Sequence, residues 1–179
     1  MTKENHAYAQ AGAQLESIVE MVAAMECDYD RLHELREQRA TLQCDADEAS
    51  DSATADIERA NLKAWDDANI DELNELRAAA GDCKDVDQAR ERIQEDALDV
   101  QVREDWHNPG DLHATPSEFF ILLCTGGPAV RIMGEIDDGL QPSRAWIEYQ
   151  DWGTPWTEYH GAHDTEALLT YCNCFFFGA

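Results

Sequence analysis

Thirty-eight Asp and Glu set against thirteen Lys and Arg give this 179-residue chain a formal charge of -25. That imbalance limits what the chain can fold into more than any motif does. Repulsion on this scale exceeds what solubility requires and works against a compact state, so something other than solubility must favour it. The same surface repels DNA, RNA and anionic lipid, which argues against direct nucleic-acid or membrane binding. Its natural complement is a basic groove. The charge is also uneven: Asp45 to Asp99 holds 18 acids against 6 bases.

Of the 44% hydrophobic residues, 25 are Ala, which favour helix but bring little apolar volume. The length allows one ordinary domain, or a helical arm plus a small domain. From Asn5 to Cys44, Leu15, Ile18, Val19, Val22 and Met25 and then Leu32, Leu35 and Leu42 recur at helical steps, so one long helix or a helix pair fits. Asp45 to Ser52 reads as a break, with Ser52 or Thr54 as the N-cap of a third helix over 53–69. A fourth spans 71–80 with Gly81 as its stop, and Asp85 or Asp87 caps a short helix through Ile93.

Beyond that point the period changes from helical to alternating. Leu98 to Val102 is a strand signal, followed by Phe119 to Thr125, Ala129 to Ile136 and Ser143 to Gln150, with turns at Gly126-Gly127-Pro128 and Asp137-Asp138-Gly139. A last helix over 164–171 is capped by Asp164. The expected fold is therefore α+β: N-terminal acidic helices as a hairpin or arm over residues 1–99, then a small antiparallel β-meander of three or four strands with a short C-terminal helix over 100–179.

Asp45, Asp47, Glu48, Asp51, Asp56, Glu58, Asp66, Asp67, Asp71, Glu72 and Glu75 place carboxylates every few residues on elements rising about 1.5 Å per residue. Duplex DNA carries about one phosphate per 1.7 Å of axis. These eleven residues are the expected partner-binding set, able to occupy a basic nucleic-acid groove. A solvated helix face competes with that reading. So does adaptation to high salt, since only Lys3, Lys63 and Lys84 stand against ten Arg, a pattern that high-GC coding also produces. Trp152, Trp156 and Tyr159 form a second interface candidate, although closing the core of a short meander explains the rings better.

Catalysis has no clear carrier. The Gly126-Gly127 turn lacks the Lys and helix start of a phosphate loop, and no hydrolase motif is present. His160, His163, Cys172 and Cys174 resemble no usual zinc spacing, so neither metal nor cofactor is expected. Asp137-Asp138 suits a turn better than a cation site. No long apolar run or charged-then-apolar leader is seen, and the six cysteines lack a framework spacing, so a cytoplasmic protein with free thiols is expected.

Three stretches carry a family resemblance: Glu118 to Ile136 (EFFILLCTGGPAVRIMGEI), Tyr149 to Thr157 (YQDWGTPWT) and, upstream, Leu73 to Asp82 (LNELRAAAGD). Together they resemble small uncharacterised proteins carried on proteobacterial plasmids, integrative elements and phages. The resemblance covers roughly Asn69 to Thr157 and brings no catalytic residues. It implies a mobile-element setting, where small acidic proteins are often anti-CRISPR or antirestriction inhibitors that mimic DNA, with a CRISPR surveillance complex or restriction enzyme as partner. An adaptor or oligomerisation protein with incidental acidity, a possible homodimer through its N-terminal helices, is the alternative.

Overall fold

The computed structural model describes residues 6–104, 115–161 and 164–178. It is an α+β fold whose contacts divide it into two compact units, Ala23–Gln88 and Met1–Val22 with Ala89–Ala179. The division falls inside α1 (His6–Glu26) and α4 (Val86–Asp96), whereas the sequence placed a single boundary at residues 99/100. Among the described residues no helix is long and apolar enough to cross a membrane.

The contiguous unit is a helical hairpin of α2 (Tyr29–Glu48) and α3 (Ser52–Ala80). Asp28 interrupts the first apolar stretch: its carboxylate accepts from Arg31 N at 2.9 Å and starts α2, so the expected helix pair forms rather than one long helix. Two expectations for α3 need correction. Its N-cap is Asp51, not Ser52 or Thr54. The Asp51 carboxylate accepts from Ala53 N at 3.0 Å, Thr54 N at 2.9 Å and the Thr54 hydroxyl at 2.8 Å, and these bonds hold its pKa below the usual range. The third and fourth helices are also one continuous helix of 29 residues, because Asn69 bonds back to the Trp65 carbonyl at 2.9 Å instead of opening a break. Gly81 ends α3 at a φ of 54°, a region that favours Gly. Asp85 starts α4 through the Gln88 amide.

Leu32, Leu35 and Leu73 are fully buried in this unit beside Tyr29, Ala80 and Cys83. The Tyr29 hydroxyl donates to the Ala24 carbonyl at 2.9 Å, and burial raises its pKa to about 12. Toward the α2–α3 turn the buried residues shrink to Ala46 and Ala55. The hairpin thus carries its charge on a narrow apolar seam.

The other unit is built on an antiparallel meander in the order β1 (Asp99–Glu104), β2 (Pro116–Cys124), β3 (Ala129–Ile136), β4 (Pro142–Gln150) and β5 (Thr157–Glu158). The fifth strand, two residues long, lies beyond the three or four expected. Alternation decides the buried face: Phe119, Ile121 and Leu123 of β2, Val130, Ile132 and Gly134 of β3, and Ala145 and Ile147 of β4 point to one side. Short α5 (Thr165–Cys172), capped by Asp164, packs on β4, and Phe177 stacks on Phe119 with ring centroids 4.4 Å apart. Tyr171 is buried and donates to Asp96 of α4 at 2.7 Å. On α1, Ala7, Ala11, Leu15 and Ile18 are buried, while Val19 is 37% exposed.

The opposite sheet face is half-exposed and alternates ionic with aromatic rows. Arg131 bonds Glu148 at 2.7 Å with its guanidinium 4.2 Å from the Trp156 ring, and Arg144 lies 5.1 Å from the Trp146 ring while pairing with Glu135. In the Asp137 turn, the carboxylate accepts from the Gly139 and Gln141 amides at 2.8 and 3.0 Å, so it serves as turn chemistry.

Candidate partner-binding surface on the acidic hairpin

Ala23–Gln88 contains 19 acids against 7 bases, a net of -12 over 66 residues, so this unit holds the denser field. All eleven expected partner-binding residues fall within it, between Asp45 and Glu75, but they do not play one role.

Asp66 and Glu72 face α2. Arg39 holds Asp66 through two bonds of 2.8 and 3.3 Å, and Arg31 grips Glu72 through two of 2.8 and 2.9 Å. With Trp65 Nε1 donating to Gln38 at 3.1 Å, these forks fix the antiparallel register of the hairpin. Arg31 in turn holds the Glu72 carboxyl below its usual pKa. These two acids brace the scaffold, a pairing between helices that spacing along one helix does not reveal.

The other nine point elsewhere. Asp45, Asp47 and Glu48 occupy the last turn of α2, Asp51 caps α3, and Asp56 and Glu58 follow in its first turns. All six lie at the end of the hairpin where α2 turns into α3. Further along α3, Asp67, Asp71 and Glu75 recur at i, i+4 and i+8, all exposed, and so form a row with steps of about 6 Å. Arg59, which pairs with Asp56 at 3.3 Å, and Lys63 lie between the two groups in sequence. The carboxylates are therefore a tip cluster and a row, not one unbroken band. Among the described residues no Lys or Arg lies within ion-pair distance of Asp45, Asp47, Glu48, Asp51, Glu58, Asp67, Asp71 or Glu75. Asp30, Glu34 and Glu37, exposed on α2, add to the same field from outside the densest run of acids.

Two physical signs mark the tip. Carboxylates in the last turn of a helix sit against the negative end of its dipole, and α2 has no basic residue there to compensate. Cys44, the exposed thiol in that turn, is pushed up in pKa chiefly by the neighbouring Glu48 carboxylate and to a lesser degree by Asp45 and Asp47. A raised pKa means less thiolate at a given pH. Cys44 is therefore expected to react several-fold more slowly with iodoacetamide at pH 8 than an unperturbed exposed cysteine, and Glu48→Gln is expected to speed it up. Peptide mass spectrometry of time points reads both rates; equal rates with and without Glu48 would contradict the field.

The aromatic candidates divide similarly. Trp156 is half-buried beneath Arg131, and Tyr159 packs 4.7 Å from Tyr8 of α1, its pKa raised by burial and by Tyr8. Both close the sheet unit. Trp152 is 77% exposed and lies against Gly127, where an added Cβ would strike its indole. Its neighbour in the turn, Pro128, follows a cis peptide bond. Of the possible metal ligands, His163 lies outside the described residues, Cys172 is deeply buried with its thiol held protonated by burial, and His160 is exposed near Glu158. Among the described residues no three His, Cys, Asp or Glu side chains are grouped to hold a metal. No protein-family model matches the chain, and no curated protein or solved structure matches it at a significant level.

Proposed function

We propose that this chain is a non-catalytic inhibitor that occupies the nucleic-acid groove of a basic host defence complex, in the manner of the anti-CRISPR and antirestriction proteins of mobile elements. The α2–α3 hairpin is the inhibitory element. The observation that carries this reading is the division of labour among the acids: two brace the hairpin through Arg forks, while Asp45, Asp47, Glu48 and the α3 row have no basic partner within ion-pair distance among the described residues. A helix selected for stability alone alternates charges at i,i+4, because like charges at that spacing repel. The row of about 6 Å steps compares with one phosphate per about 3.4 Å of axis on each DNA strand, so its density is roughly half that of a strand. The aromatic sheet unit serves as scaffold.

The test is competition. Purified CRISPR surveillance complexes and restriction enzymes are loaded with a fluorescent duplex, and the chain is titrated in. Displacement from at least one of them is expected, with potency falling tenfold or more as salt rises from about 0.05 to 0.2 M. Asp67→Asn, Asp71→Asn and Glu75→Gln together are expected to weaken displacement by a similar factor. Binding that ignores salt, or that leaves the duplex in place, contradicts the proposal.

A further inference from the structure

The two edges of the sheet are treated differently by the sequence. β5 ends it with two residues, too short to template another strand. β1 ends the other side with six residues, all exposed except half-buried Val100, and it contains no Pro, Lys or Gly. Its pairing irregularity lies at the far end, between Arg103 and Glu104. Among the described residues no strand pairs with its outer side, and such an edge offers a row of backbone groups to any strand that matches it.

The order of residues on β1 specifies what matches. Asp99-Val100-Gln101-Val102-Arg103 reads as its own complement when a second copy is laid antiparallel with Gln101 at the centre. Asp99 then faces Arg103 of the other copy, Val100 faces Val102, Gln101 faces itself, and each pairing occurs twice. Every pair joins residues of equal parity, so the outward backbone groups and the side-chain faces of both strands agree. The two-fold axis lies through Gln101, which is the geometry of an isologous contact.

Local chemistry agrees with this register. Val102 is 46% exposed, large for a β-branched residue on a strand, and a facing Val100 would cover it. Arg103 already pairs with Glu118 of its own chain, yet its side chain remains 74% exposed and a guanidinium has donors for a second carboxylate. Asp99 accepts from Gln101 at 2.7 Å but has no base within ion-pair distance among the described residues. Each copy thus presents one unpaired acid and one incompletely used base, in register.

We infer that β1 is a self-recognition edge through which two copies pair into one continuous ten-stranded sheet. The contact is small, and each copy carries -25, so dimerisation is concentration-dependent and needs moderate salt to screen the repulsion. This inference stands apart from the inhibitory reading, because it uses neither the hairpin nor its acids.

Charge exchange tests it. At about 0.3 M salt, where long-range repulsion is screened, sedimentation of the native chain is expected to rise from 20.1 kDa toward twice that mass with concentration. Asp99→Arg alone and Arg103→Asp alone place like charges opposite each other, and each is expected to weaken self-association at least tenfold. Mixing the two variants restores opposite charges at both positions, so the mixture is expected to dimerise where neither component does. A measurement without variants guards against misfolding: the outward amides of β1 are expected to exchange hydrogen more slowly as concentration rises. A native chain that stays at 20.1 kDa with unchanged β1 exchange overturns the inference. So does a dimer that both single variants form as readily as the native chain.

Discussion

Replacing Gly134 by Ala is expected to destabilise the sheet unit by about 1–3 kcal/mol or more, a loss on the scale of serious overpacking. Gly134 is buried in β3 opposite Phe119 on one side and Ala145 on the other. A Cβ there would fall 2.2 Å from the Phe119 ring and 2.5 Å from the Arg144 carbonyl oxygen. The carbonyl belongs to the backbone of β4 and cannot turn away. The ring cannot retreat either, because Phe119 is 1% exposed and Phe177 stacks on it. At roughly 2–4 °C per kcal/mol for a chain of this size, thermal unfolding followed by circular dichroism should fall by several degrees. Gly139→Ala is the control, since its nearest neighbour is the Asp137 carboxylate at 3.2 Å in an exposed turn. If both variants melt like the native chain, the packing assigned to Phe119 is wrong.

The second large effect has the opposite sign. Asp45→Asn, Asp47→Asn and Glu48→Gln together are expected to raise the melting temperature by several degrees at low salt. Each removes an anion from the negative end of α2, where a misplaced charge costs about 0.3–1 kcal/mol. The gain should fade near 1 M salt, where the screening length is only about 3 Å. The same variant is expected to lose potency in the duplex competition. Stability and inhibition would then move in opposite directions, which is the signature of charge kept for a partner. A variant that is no more stable than the native chain at low salt would show that the dipole argument fails at this helix end.

Much of the fold was legible because alternation and turn chemistry are local. The bounds of β3 and the caps at Asp164 and Gly81 match what the sequence indicates. What was not legible depends on distant partners. Asn69 and Asp71 look like a helix break until Asn69 is seen bonded to Trp65 within α3. The stripe Leu15, Ile18 and Val22 announces a buried face but not which unit buries it, and contacts assign it to the sheet unit. Likewise the run of acids from Asp45 to Glu75 announced a charged surface, while the inward pairing of Asp66 with Arg39 and of Glu72 with Arg31 requires a helix crossing that spacing cannot encode.

The division of the chain also sets an order of events during synthesis. Ala23–Gln88 is contiguous, so its hairpin can close as soon as α3 has been made, using contacts at short and moderate separation. The other unit is discontinuous. Tyr8 meets Tyr149, 141 positions later, and Phe119 needs Phe177. Its first helix must therefore wait, with its apolar stripe uncovered, until the sheet strands arrive. Nascent chains just long enough to bring Gln88 out of the ribosome should protect the hairpin from protease while leaving the first helix open to it, making the acidic element the first part of the molecule to acquire its native form.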